Sequence, residues 1–206
     1  MKNIIIILLA SLSYTSFGQG QDEKVIGVYT GFSTTGFAYR LASNITVNDS
    51  ANTDFYGGSN LPVFGAMFDY GISSNFSIGA MFGIQHFNAD INSRSVNIGD
   101  TLLTTRNVDI NLNRLYLGIT PKYHYNMANE QLELYSGVRA GFIFWQGNFD
   151  VEDSNIDVLS NLGAGRPAIS LIPIGGRYYM TDELALNFEL ATGAPAIITL
   201  GLNFRL

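Results

Sequence analysis

His86 and His124 are the only imidazoles in the chain, and there is no cysteine. Thiolate catalysis, cysteine-ligated zinc and a lipidated cysteine are thereby excluded. Acid–base chemistry would need one of these histidines or a pair of carboxylates. His86, Asp90 and Ser93 can be drawn as a nucleophilic triad, but the alternation described below turns His86 outward near one rim and His124 inward near the other. No single site can use both, so no catalytic residues are expected. Asp153-Ser154-Asn155-Ile156-Asp157, beside Asp150 and Glu152, opens like a calcium loop. Val158 stands where a glycine should follow and Ala164 where the closing glutamate should stand, so the run reads as a solvated acidic loop. Gly163-Ala164-Gly165 has the composition of a phosphate cradle but no helix follows it. Neither a metal nor a cofactor is expected. What remains for chemistry is a set of charges, Asp69, Lys122, Glu133, Arg139, Arg177 and Glu189, isolated within apolar surroundings.

Composition explains why those charges stand out. Only 14% of the 206 residues are charged, against about 25% in an ordinary soluble domain, while 47% are hydrophobic, including 14 Phe and 11 Tyr. Such a chain can bury a core and is not disordered, but it has little ionic material with which to cover a water-soluble body. A net charge of −6 repels nucleic acid. The length suits one domain.

The elements that position the charges begin after an export segment. Lys2 precedes the apolar run Ile4–Leu12, too short to span a bilayer, and small residues follow at Ser16 and Gly18. Residues 1–18 are therefore read as a cleavable signal and 19–206 as the mature domain. Beyond Gln19 the recurrent pattern is alternation with a period of two, clearest in Leu184–Leu190 and Ile198–Leu206. Eight strands are expected near 25–39, 61–72, 76–89, 107–125, 131–149, 167–180, 184–192 and 196–206. Tight joins fall at Ser73–Asn75, Asn126–Glu130 and Thr181–Glu183, and long ones at 40–60, 90–106 and 150–166, so tight and long joins collect at opposite ends. The join at Ala194-Pro195 is short although it lies at the long-loop end, which makes it the low side of that rim. This asymmetry belongs to an all-β fold: a single antiparallel up-and-down transmembrane barrel of about eight strands.

Parity then decides which face is inside. The non-greasy positions hold Gly79, Gly83, Gly118, Gly137, Gly141, Gly201, Thr120, Thr199, Asn187 and Asn203, which suit a narrow lumen better than a solvated surface. The greasy parity faces outward and sets Tyr70, Phe76, Tyr123, Tyr125, Tyr178 and Phe204 near the tight-turn end as an aromatic girdle. The six charges point inward. Asp69, Lys122, Glu133 and Arg177 lie just above the tight turns and sum to zero, and Arg139 and Glu189 lie nearer mid-height. Charges in a narrow lumen are costly unless paired, so an Arg139–Glu189 pair and a lower four-residue cluster are expected. Pro121 and Pro173 fall within strands and require bulges or strand ends.

With its export segment, its alternating strands and the closing run Thr199-Leu200-Gly201-Leu202-Asn203-Phe204-Arg205-Leu206, the chain resembles the outer-membrane β-barrel family common in Bacteroidetes, similar in plan to OmpX and the OmpA membrane domain. The resemblance implies location in the outer membrane of a Gram-negative bacterium, insertion by the barrel-assembly machinery that reads the terminal strand, and outer-membrane lipid and lipopolysaccharide as neighbours. Asp49-Ser50-Ala51 and Asp100-Thr101-Leu102 resemble the O-glycosylation pattern of exported proteins of that phylum. The expected role is structural or surface-interacting, through loops 40–60, 90–106 and 150–166, with no catalysis. A narrow porin-like channel is the competing reading.

Overall fold

The computed structural model describes residues 21–43, 53–95, 104–125, 131–151, 154–156 and 165–206. The export segment, Ser50, Thr101 and most of the acidic run at 150–164 lie outside them. Ten strands, β1 (Lys24–Phe32), β2 (Thr53–Asn60), β3 (Val63–Ser73), β4 (Phe76–Ser95), β5 (Thr104–Tyr125), β6 (Leu132–Val151), β7 (Ser154–Ile156), β8 (Arg166–Tyr179), β9 (Leu184–Leu190) and β10 (Ile198–Arg205), are accompanied by one helix, α1 (Thr34–Ser43). Eight of the strands form a ring in the order β3-β1-β10-β9-β8-β6-β5-β4, which the β4–β5 pairing completes into a closed, all-antiparallel up-and-down barrel. Short β2 and β7 pair with the far ends of β4 and β6.

Alternation is visible along the strands. In β9 the burial pattern runs strictly inside and outside, with Ala185, Asn187 and Glu189 inward and Leu186, Phe188 and Leu190 outward. Inward glycines make room for large side chains on the facing strand. Asp69 pairs with Gly79, and its carboxylate lies where a Cβ on Gly79 would stand, 2.1 Å from Oδ1. Tyr135 likewise covers Gly175, at 2.4 Å from the equivalent point. Tyr29, Val63, Met67, Met81, Tyr116 and Ala196 form an apolar cluster in the barrel interior.

Three features depart from the sequence reading or refine it. The first strand ends at Phe32 and not near 39, because Ser33 caps a helix. Its Oγ accepts from the Gly36 N–H at 2.9 Å, and its carbonyl accepts from the Phe37 N–H at 3.0 Å. Part of the expected loop 40–60 is accordingly strand β2. Pro173 is absorbed by a bulge: the β6–β8 register shifts between Tyr135 and Gly137, so Ile172 and Gly175 both face inward while Pro173 and Ile174 both face out. At Pro121 the β5–β6 ladder skips from Ile119–Ala140 to Lys122–Gly137 without losing register.

The rim is lopsided. β4, β5 and β6 run 20, 22 and 20 residues, whereas β9 and β10 have 7 and 8. On the low side the β9–β10 connection also folds inward. The Thr192 N–H donates to the Leu171 carbonyl at 2.9 Å, Ser170 Oγ donates to the Ala194 carbonyl at 2.9 Å, and Ala196 is fully buried.

Candidate functional site

The strands deliver all six expected charges to the lumen, each at most 3% exposed. Glu133 and Arg177 are direct cross-strand partners on β6 and β8, 3.1 Å apart. From β8 the Arg177 guanidinium crosses the lumen to Asp69 on β3, which also accepts from Lys122 Nζ at 2.8 Å. Arg139 Nη2 is paired with Glu189, and its Nη1 donates to the Ala196 carbonyl at 2.9 Å. Lys122 lies 3.4 Å from Glu189 and joins the two levels that parity separates, so the six charges form one connected network.

Neutral groups complete it. Tyr135 OH donates to Glu189 at 2.7 Å and accepts from the Asn187 amide at 2.7 Å, and Tyr179 OH donates to Glu133 at 3.0 Å. The Tyr135 ring lies beneath two of the cations, 4.6 Å from Lys122 Nζ and 5.4 Å from the Arg177 guanidinium carbon. Three carboxylates face three basic side chains, so the formal charges of the six sum to zero. Mutual pairing and these added hydrogen bonds offset the desolvation that isolated charges would suffer there.

His124 belongs to this assembly, which the sequence reading does not anticipate. Its Nδ1 is 2.5 Å from Glu133 Oε1 and its Nε2 2.7 Å from Ser77 Oγ. A serine, a histidine and a carboxylate in that order have the connectivity of a nucleophile, its base and the group that orients it. Catalysis also needs an approach for substrate, and here Ser77 is 1% and His124 0% exposed, with the Glu133 carboxylate shared with Arg177 and Tyr179. The arrangement fits a buried polar link between β4, β5 and β6. His86 is on the opposite parity, with Nδ1 2.7 Å from Asn113 Oδ1 on the neighbouring strand. The triad drawn with Asp90 and Ser93 extends to residues whose side chains lie outside the described set.

Arg114 is the second group that the sequence reading omits, although it occupies an even position of β5 like Lys122. It is 3% exposed and sits toward the outer end, donating to Thr35 Oγ1 at 2.6 Å and to the Pro195 carbonyl. It thereby ties α1 to the inward-folded β9–β10 connection. Ser33 and Gln85 add a hydrogen bond of 2.7 Å beside it. Among the described residues no cluster of three or more His, Asp or Glu has an arrangement able to hold a metal ion.

The outer face is the inverse of the lumen. Phe76, Tyr123, Tyr125, Tyr178 and Phe204 are exposed near the tight-turn end, with Phe76 and Tyr123 packed edge to face at 5.3 Å. Tyr70 is half-buried there and hydrogen-bonded to Asp22 at 2.6 Å. Above them Ile78, Phe82, Ile84, Leu117, Ile119, Phe142, Leu171, Leu186, Leu200 and Leu202 are all exposed.

No family model matches the chain, and no curated protein matches it. Among solved structures it is similar to three outer-membrane barrels. The N-terminal β-barrel domain of Pseudomonas aeruginosa OprF is 13% identical, covering 91% of this chain and 100% of that one, with a TM-score of 0.44. Ail, the attachment invasion locus protein of Yersinia pestis, is 11% identical over 91% and 99%, with a TM-score of 0.45. Pseudomonas aeruginosa OprG is 10% identical over 92% and 98%, with a TM-score of 0.49. At these values the likeness is one of general shape and carries nothing about function.

Proposed function

We propose that this chain is an integral barrel of a Gram-negative outer membrane, of the Bacteroidetes-type family that it resembles. Its lumen is closed by its own side chains, and its role is structural or surface-interacting, through the connections that follow α1, β4 and β6. The observation that carries this reading is the inversion of the two faces, with paired charges inside and large apolar side chains outside. In water such an exterior would be a continuous sticky patch around the body. Facing acyl chains, it is the surface that the solvent requires. The stretch Phe76–Ile84 has the length of about 9–11 residues that a tilted strand needs to cross the hydrocarbon, and the aromatic girdle lies at its lower end.

Its neighbours are then outer-membrane lipid and lipopolysaccharide, with the barrel-assembly machinery acting during insertion, and no reaction is catalysed. The membrane part is tested by mobility on unheated gels after detergent extraction, where a closed barrel migrates differently from the boiled chain. The closed lumen is tested in planar bilayers. Wild type is expected to give no steady current, and Arg139→Ala, which removes the tie to Glu189 and Ala196, is expected to leak. A steady resting current in wild type, altered in size or selectivity by Arg139→Ala, would favour the narrow channel instead.

A further inference from the structure

Helix α1 is amphipathic in the sense opposite to that of a helix lying on a barrel in water. Toward the protein it turns Gly36, which is buried, Thr35, which accepts from Arg114, and Tyr39, which packs on Phe87 at 5.4 Å while its hydroxyl donates to the Asn88 carbonyl; exposed Arg40 donates through Nε to Asn60 Oδ1 at 2.8 Å. The exposed positions are Thr34, Phe37, Ala38, Arg40 and Leu41; four of them form a stripe at i, i+3, i+4 and i+7, with Arg40 at its edge. Phe37 is 64% and Leu41 54% exposed. A stripe of that spacing normally turns toward an apolar phase.

The barrel surface beside it supplies the continuity. Phe37 shares a cleft of about 190 Å³ with Phe32, Pro62 and Ile197, at the tops of β1, β3 and β10, and with polar Arg40, Asn60 and Gln85. Phe32, Phe64 and Ile198 are the last exposed apolar residues of those strands, and Leu61 lies exposed beside them. The α1 stripe thus extends the apolar belt past the strand ends on the low side of the rim. A protein-binding patch is normally bounded by a polar rim. Here the part of the lining formed by Phe32, Pro62 and Ile197 runs into the belt, and Ser33, Arg40, Asn60 and Gln85 form its polar part.

We propose that α1 lies in the interfacial zone of the outer leaflet on the β3–β1–β10 side, with Phe37 and Leu41 among the acyl chains and the cleft beneath Phe37 filled by an acyl segment. The inference rests on the membrane reading above and adds a lipid-docking helix to it. Interfacial helices bury their apolar face about 5–10 Å into the boundary between headgroups and chains. Because Thr35 is bonded to Arg114, which also holds the Pro195 carbonyl, lipid contact at α1 fixes the outer closure of the lumen as well.

The test places single tryptophans in a Trp145→Phe background, at Phe37, at Leu41 and, as a belt reporter, at Phe64. The protein is refolded into phosphatidylcholine vesicles brominated either near the headgroup or deep in the chain. Two stripe positions keep the test valid if one variant does not refold, as judged on unheated gels. Phe37→Trp and Leu41→Trp are expected to be quenched about two-fold more by shallow than by deep bromine and to be shielded from aqueous iodide, consistent with interfacial depth. If both are instead reached by iodide, or are shielded from iodide and bromine alike while Phe64→Trp is quenched by bromine, the helix docks elsewhere and the proposal is overturned with the barrel reading intact. If Phe64→Trp also escapes both bromolipids, the membrane reading itself falls.

Discussion

Replacing Arg139 by methionine isolates the energetics of the lumen. Arg139 is fully buried, paired through Nη2 with Glu189 and bonded through Nη1 to the Ala196 carbonyl at 2.9 Å. Breaking a buried pair by removing one partner costs about 3–5 kcal/mol, because the other charge is left uncompensated. Glu189 keeps Tyr135 at 2.7 Å and Lys122 at 3.4 Å, which puts the loss at the lower end, about 3 kcal/mol. The lost bond to Ala196 adds about 1 kcal/mol. A total near 3–4 kcal/mol is a shift of several hundred-fold in the folding equilibrium. The double variant Arg139→Met with Glu189→Leu removes both charges and leaves Lys122 paired with Asp69, so it is expected to be more stable than Arg139→Met alone. Reversible urea unfolding in lipid vesicles, followed by mobility on unheated gels, measures Arg139→Met, Glu189→Leu and the double variant. If the double variant loses as much as the two single losses added together, the two side chains are not coupled, and the network described above is not what holds the lumen shut.

Further outcomes test the sidedness and the close packing. Leu117 is 56% exposed in the middle of β5, and Leu117→Arg is expected to destabilise the lipid-inserted barrel by about 2–4 kcal/mol in the same unfolding assay. On a water-facing surface the change would be nearly neutral, and that result would invert the assignment of the two faces. Gly79→Ala sets a methyl group 2.1 Å from Asp69 Oδ1 and 2.9 Å from the Phe68 carbonyl, so the Asp69 carboxylate, which holds Lys122 and Arg177 through Oδ2, must shift. A loss of about 1–3 kcal/mol is expected, and a chevron or equilibrium curve unchanged from wild type would count against the carboxylate lying there. Ser77, though linked to His124 and Glu133, is expected to stay unlabelled by a fluorophosphonate in the folded barrel, since it is 1% exposed. Stoichiometric labelling, abolished by His124→Ala, would make the lower lumen an active site.

Much of this architecture is legible along the chain because a strand in a two-faced wall repeats every two residues. Leu184–Leu190 and Ile198–Arg205 show it without interruption, and the same parity carries Asp69, Lys122, Glu133, Arg139, Arg177 and Glu189 inside. It fails where the backbone leaves the period. Thr34–Ser43 contains Phe37, Ala38 and Leu41 at helical spacing, a signal present in the letters but overridden by extending the preceding alternation. At Pro173 the broken parity marks a real bulge, which neither alternation nor composition can locate to a residue. The triplet of Ser77, His124 and Glu133 gives no sequence signal as a set, because its members come from three strands and meet only through register.

By itself, then, the sequence determined the eight strands of the ring and the inward direction of six charges whose formal sum is zero, since these follow from local alternation and counting; inward Arg114 and helix α1 were not among them. Only the tertiary structure decided which charge meets which. Closure of the ring brings β3 across from β8, so Asp69 reaches Arg177 over a separation of 108 residues, and Lys122 ties the lower level to Glu189. It also turned the short β9–β10 connection inward beneath Arg114 and Arg139. Those partners are fixed by the diameter and stagger of a closed barrel, which no single strand encodes.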